Sequence, residues 1–219
     1  MIKFKPVYLS YDPRVPPAFA AAAAAVIEEV LDIAGVADRI PFADVGTGES
    51  PYSPAGYVIP QVSVDLLLRA CAHPALPHAL AGRTLSLELL KRRWQEIEPH
   101  YDVLLVQSEM FSKSSSSQGI HSFLGVSTCG FNAVLSLSHF SGLPERDRYE
   151  LMKTALLQEV GRMFGLNPNK KKHGIIHCTH ICVMRAVQSP LDLECYTDDR
   201  LEGGPFCLKC FEKLCAFFV

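Results

Sequence analysis

Four cysteines in two close pairs, Cys178 with Cys182 and Cys207 with Cys210, carry the clearest chemistry in this 219-residue chain. Thiolates paired this closely across a long connection make a closed tetrahedral zinc site, whose binding energy helps fold a small loop-rich segment. The competing use of cysteine pairs, as disulfides, belongs to oxidising compartments. Met1 to Pro6 lack the apolar core and small-residue cleavage pattern of a secretory signal, so a cytoplasmic, reducing setting and metal thiolates are expected. Cys195 within the connection and Cys215 beyond the second pair leave the ligand set open, each being either a buried thiol or a replacement ligand.

The second chemical stretch lies just upstream and reads Gln158-Glu159-Val160-Gly161-Arg162-Met163-Phe164-Gly165-Leu166. Positions 158 and 162 share one face of a helix, and Glu159 sits beside the first. In zinc-dependent peptidases such a pair is two histidines that bind the metal, and the adjacent glutamate activates the metal-bound water. Further on come His177-Cys178, Cys182-Val183-Met184 and Cys207-Leu208-Lys209-Cys210. Taken together these residues resemble the archaemetzincins, a metzincin-like zinc peptidase family. Their signature is His-Glu-x-x-His-x-x-Gly-x-x-His-Cys followed by Cys-x-Met and a later Cys-x-x-Cys. The resemblance implies that Glu159 holds the catalytic-base position, that Gln158 and Arg162 stand at degenerate ligand positions, that His177 corresponds to the third ligand, and that Met184 lies at the turn beneath the metal. It also implies that the strand bordering the substrate cleft is Ala133 to Ser138, an edge to which an extended peptide could add.

Gln158 is a poor zinc ligand, and Arg162 brings a positive charge that does not titrate away. His177 is displaced by an insertion of about nine residues, 167–176, which includes Lys170, Lys171 and Lys172. The first cysteine pair encloses three residues where the family has four. One structural zinc is therefore expected and the catalytic ion is not. Arg162 either occupies the space of the missing metal and pairs with Glu159, or points to solvent. His173, His177 and His180 could form a rearranged site with Glu159 or a free cysteine, and His180 could instead sit beside the structural zinc. The leading expectation is a pseudo-peptidase that binds a peptide or protein in the former active-site cleft. The alternatives are a zinc metallopeptidase with rearranged ligands and a repurposed metal-independent enzyme using Glu159 and Arg162.

The elements that must position these groups imply a zincin-like α/β fold, a mixed twisted sheet with packing helices, in a single domain over 1–219 with a cysteine-rich, zinc-stapled subdomain over 177–219. A chain that is 48% hydrophobic and 20% charged is long enough for one sizeable core. Its formal charge of -2 offers no basic field for nucleic acid. The alanine-rich run near Ala18 meets Glu28, Glu29 and Asp32 too soon to span a membrane. Strands are predicted over Phe4 to Ser10, Asp102 to Gln107, Phe123 to Ser127 and Val134 to His139, and helices over Ala18 to Ala34, Val64 to Ala72, Ser86 to Ile97 and from Pro144 through Arg162. Residues 41–60 and Ser112 to Gly119 read as loops. His73, His78, His100, His121 and His139 are scattered singly, as ordinary surface or hydrogen-bonded histidines are, with His121 and His139 flanking the expected cleft.

Overall fold

The computed structural model describes residues 4–46, 100–107, 110–113, 120–130, 132–166, 170–171, 174–175, 178–187 and 190–219. The expected helices over Val64 to Ala72 and Ser86 to Ile97 lie outside these residues, as do His73, His78, His173 and His177.

The chain opens with strand β1 (Val7–Tyr11), helix α1 (Pro17–Ile33) and strand β2 (Phe42–Gly46). After the segment not described come β3 (Tyr101–Val106), the hairpin β4 (Met110–Lys113) and β5 (Ile120–Phe123), then β6 (Gly125–Thr128) and β7 (Asn132–Ser136). A 3-10 turn (Ser138–Phe140) leads to the long helix α2 (Glu145–Met163). The short pair β8 (Lys170–Lys171) and β9 (Gly174–Ile175) follows, and helices α3 (Pro190–Gly203) and α4 (Leu208–Phe217) close the chain. The main sheet runs in the order β2-β1-β3-β7-β6; the first four strands are parallel, and β6 pairs antiparallel to β7.

Register puts Val7, Leu9, Tyr101, Val103, Leu105, Ala133 and Leu135 on one face, and all join the core formed with α1 and α2. Helix α1 supplies Phe19, Ala23, Val26, Ile27 and Val30 at helical spacing, and its alanines keep it close to its neighbours. The C-terminal helix is part of the same core: Phe164 meets Tyr101 edge-on at 5.1 Å and Phe218 at 5.1 Å, and Leu214 is fully buried. The Cys215 thiol donates to the Ile33 carbonyl oxygen at 3.8 Å and thereby links α4 to the end of α1.

Three expectations are corrected. Residues 41–60 do not form a loop throughout, because Phe42–Gly46 is a parallel edge strand; pairing with β1 overrides the turn-rich composition around it. Ser112 and Lys113 belong to β4 rather than to a loop. Ala133 to Ser138 is not an edge: β7 lies between β3 and β6, His139 sits in the 3-10 turn, and among the described residues the edge on this side of the sheet is β6.

Helix α2 ends where the sequence changes from amphipathic helix to Gly165. The Gly165 N–H bonds to the Arg162 oxygen and the Leu166 N–H to the Gly161 oxygen, the paired bonds of a left-handed helix terminus. Gly165 has φ of +84°, and a Cβ there would lie 2.5 Å from Phe217 Cδ2. Gly165→Ala is therefore expected to cost about 1–3 kcal/mol from backbone strain alone, with more from the clash. Urea denaturation measures it, and a loss under about 0.5 kcal/mol would contradict this account of the helix end.

Candidate functional site

Helix α2 packs against α1, β6, β7 and α3, so it is enclosed on most of its circumference. From Leu151 to Gly161 only Lys153 is not buried, and besides Thr154 the enclosed stretch includes two polar side chains, Gln158 at 3% exposed and Glu159 at 5%. Buried polar groups need partners, and these two find them in different places.

Gln158 turns towards the segment after the first cysteine pair. Its Nε2 donates to the Val183 carbonyl oxygen and, at 3.3 Å, to that of Arg185. Those two carbonyls bracket Met184, which is itself buried. Gly161 lets this turn approach the helix, since a Cβ at that position would stand 3.0 Å from Met184 Sδ and 3.1 Å from Leu166 Cδ1. Gln158 thus serves as a clasp between helix and turn. Arg185 extends the contact by pairing with Asp199 and stacking 3.9 Å over the Tyr196 ring of α3. Helix α3 is held to α2 by a second network, in which Arg200 pairs with Glu150 and donates to Thr154 Oγ1, itself 2.8 Å from Thr197 Oγ1.

Glu159 points instead to the edge strand. Its carboxylate Oε1 accepts from Arg162 Nη1, so the guanidinium pairs with the glutamate rather than with solvent alone. A Cβ built on Gly125 of β6 would lie 2.7 Å from Glu159 Cγ and 3.0 Å from Oε1, so the strand passes directly over this carboxyl group. Ser127, two residues along on the same face, hydrogen-bonds it. Oε2 is buried with no hydrogen-bond partner. Burial pushes the Glu159 carboxyl up from the ordinary glutamate value, and the Arg162 charge and the bonds from Ser127 and Arg162 oppose that shift without cancelling it. Gly125 and Ser127 were not singled out from the sequence; the available signal was a glycine at a strand position, which marks close approach of another group.

The four paired cysteines come together. All four Sγ atoms lie within 4.8 Å of one another, and Cys178 and Cys207 Sγ are 3.6 Å apart. Zinc–sulfur bonds of about 2.3 Å in a tetrahedron set an S···S distance of about 3.8 Å, so this donor set fits a zinc ion. Cys207 caps α4 and Cys210 lies in its first turn, where helix N–H groups favour thiolates. The Cys210 thiol, with the backbone N–H groups of Cys207 and Met184, draws Cys182 down to about 5. Cys210 is pushed up, chiefly by the Cys182 sulfur beside it, so the group favours one thiolate easily and needs a cation to carry more. Cys195 is exposed and Cys215 is engaged at Ile33, so neither stands among these four. His180 is exposed in the loop between Cys178 and Cys182, and its backbone N–H faces the Cys178 sulfur. His139 is exposed; His121 lies on β5; His100 is buried, with Nε2 3.0 Å from Asp102 Oδ2.

No donor set for a catalytic zinc forms from the described residues around α2. Gln158 is committed to backbone carbonyls, and the space beside Glu159 holds a guanidinium whose charge repels a divalent ion. His177 lies outside the described residues.

No protein-family model matches this chain, and no curated protein does. Solved structures do. An archaemetzincin from Methanopyrus kandleri is 20% identical, with 99% of this chain and 96% of that one covered and a TM-score of 0.55. A zinc-dependent peptidase from Methanocorpusculum labreanum is 17% identical, with 95% and 99% covered and a TM-score of 0.54. An archaemetzincin from Archaeoglobus fulgidus, complexed with malonate, is 16% identical, with 94% and 98% covered and a TM-score of 0.53. The fold of this chain is therefore archaemetzincin-like over nearly its whole length.

Two measurements follow from this geometry. Gly125→Ala should destabilise by about 1–3 kcal/mol through overpacking, and combination with Glu159→Ala should recover most of that loss; additive losses would place the clash elsewhere. Because burial raises the Glu159 carboxyl in the folded chain, its stabilising contribution is complete below the ordinary glutamate range and is lost as pH rises through the folded value. Glu159→Gln does not ionise, so its unfolding free energy relative to the parent should climb between acid and neutral pH in urea titrations, whereas a flat difference would refute the assignment.

Proposed function

We propose that this chain is an archaemetzincin-like pseudo-peptidase, which holds an extended peptide or protein segment in the former active-site cleft along β6 and does not cleave it. The observation that carries the reading is the double commitment of the degenerate ligand positions: Gln158 clasps the Met184 turn and Arg162 pairs with Glu159. A cleft occupied by its own cation has no vacancy for a catalytic metal, while β6, the outermost strand on this side among the described residues, would offer its backbone groups to an added strand. Peptide recognition itself comes from the fold analogy with peptidases. Cys178, Cys182, Cys207 and Cys210 would hold one structural zinc, which supplies a crosslink between the Met184 segment and α4 rather than chemistry at a substrate.

A second reading keeps an enzyme. The Glu159 carboxyl has a buried oxygen without a partner and a raised affinity for its proton, both attributes of a general acid or base. Elemental analysis of tag-free protein separates the readings. One zinc per chain, lost in Cys207→Ser together with thermal stability, and no turnover of peptide pools are expected. Two metals, one of them surviving in Cys207→Ser, would mean a rearranged metallopeptidase. Turnover with one zinc, abolished by Glu159→Gln, would mean a metal-independent enzyme. For binding, saturation with captured peptide should slow amide hydrogen exchange across Gly125–Thr128; unchanged exchange there would reject the β6 cleft as the site.

A further inference from the structure

The four clustered thiols differ in their access to solvent. Cys182 is 2% exposed and Cys210 7%, whereas Cys178 and Cys207 are half-buried, so one member of each close pair is enclosed and the other faces outward. The outward members come from different elements. Cys178 opens a loop whose next three residues, Thr179, His180 and Ile181, are all exposed, and Cys207 caps α4. Their Sγ atoms lie 3.6 Å apart although the residues are 29 positions apart in the chain. A sulfur–sulfur bond is about 2.0 Å long, so a short movement of a loop side chain joins them. Thiols that hold a metal are thiolates, and thiolate is the form that peroxides oxidise. Burial shields Cys182 and Cys210 from such an oxidant and leaves Cys178 and Cys207 open to it.

We propose that Cys178 and Cys207 form an oxidation site, at which hydrogen peroxide converts two metal-holding thiolates into a Cys178–Cys207 disulfide and the chain gives up its zinc. This rests on the structural-zinc reading above and adds a reaction to it. The Cys178 thiolate attacks one peroxide oxygen, the O–O bond breaks, and the second oxygen leaves as hydroxide. The Cys207 thiolate then attacks the resulting sulfenic sulfur and displaces a second hydroxide. Two electrons have passed from the sulfurs to the peroxide, and two protons from solvent complete two waters. Cys182 and Cys210 alone remain as donors, two short of a closed tetrahedral set. The new bond also preserves a crosslink. The Cys178 N–H donates to the Met184 oxygen at 3.1 Å, so a bond from Cys178 to Cys207 keeps the Met184 segment tied to the start of α4. A link between positions so far apart in the chain restricts the unfolded state.

Hydrogen peroxide titration of the zinc-loaded full chain tests this, with released zinc read by a chromogenic indicator and disulfides mapped by mass spectrometry of unreduced digests. Released zinc and the Cys178–Cys207 crosslink should rise together, and a phosphine reductant should restore both the free thiols and zinc uptake. The oxidised, zinc-free chain should melt at a higher temperature than the reduced chain stripped of zinc by a chelator. In Cys195→Ser, which removes the exposed thiol of α3, release and crosslinking should be unchanged. A disulfide within either close pair, Cys178–Cys182 or Cys207–Cys210, overturns the inference. So does zinc release accompanied by sulfinic acid without a disulfide, or zinc retained under peroxide that fully oxidises Cys195. Each of those outcomes leaves the structural zinc intact as a reading. Absence of zinc before any peroxide is added, in protein folded by circular dichroism, removes both the inference and the reading beneath it.

Discussion

A carboxylate held inside a protein needs a cation or a set of hydrogen bonds beside it, and the contact between Glu159 and Arg162 is where this fold meets that requirement. In a zinc peptidase helix the metal supplies the positive charge. Here the charge is covalent, fixed on the same helix one turn away, and it cannot be chelated or titrated away. The consequences reach outward through packing. Gly125 must lack a side chain for β6 to cross the carboxyl, and β6 is the outermost strand on this side of the sheet among the described residues.

Gln158 keeps the helix coupled to the Met184 turn by hydrogen bonds to two carbonyls that would otherwise be buried beside an apolar helix face. That turn leads directly from Cys182, so the clasp at Gln158 and the cysteine cluster brace the same few residues from two sides. A metal at the four thiols would then hold α4 to this turn, and the aromatic cluster of Tyr101, Phe164, Phe217 and Phe218 would carry the restraint into the sheet.

The amino-acid sequence by itself determined the chemistry available: four thiols in close pairs, a glutamate flanked at helical spacing by glutamine and arginine, and an alanine-rich first helix ended by Gly35. Those are local patterns, set by periodicity of 3.6 and by residue type, and they were legible without coordinates. Only the tertiary structure decided the rest, because each remaining fact depends on segments far apart in the chain. Phe42–Gly46 became a strand through pairing with β1, against its own composition. Ala133 to Ser138, an edge by the family resemblance, falls on the interior strand Asn132–Ser136 because β6 folds back beside it. Helix spacing put Arg162 and Glu159 on one face but left solvent equally open to the guanidinium; burial of Glu159 under Gly125 settled it, since an enclosed carboxylate attracts the nearest cation far more strongly than an exposed one.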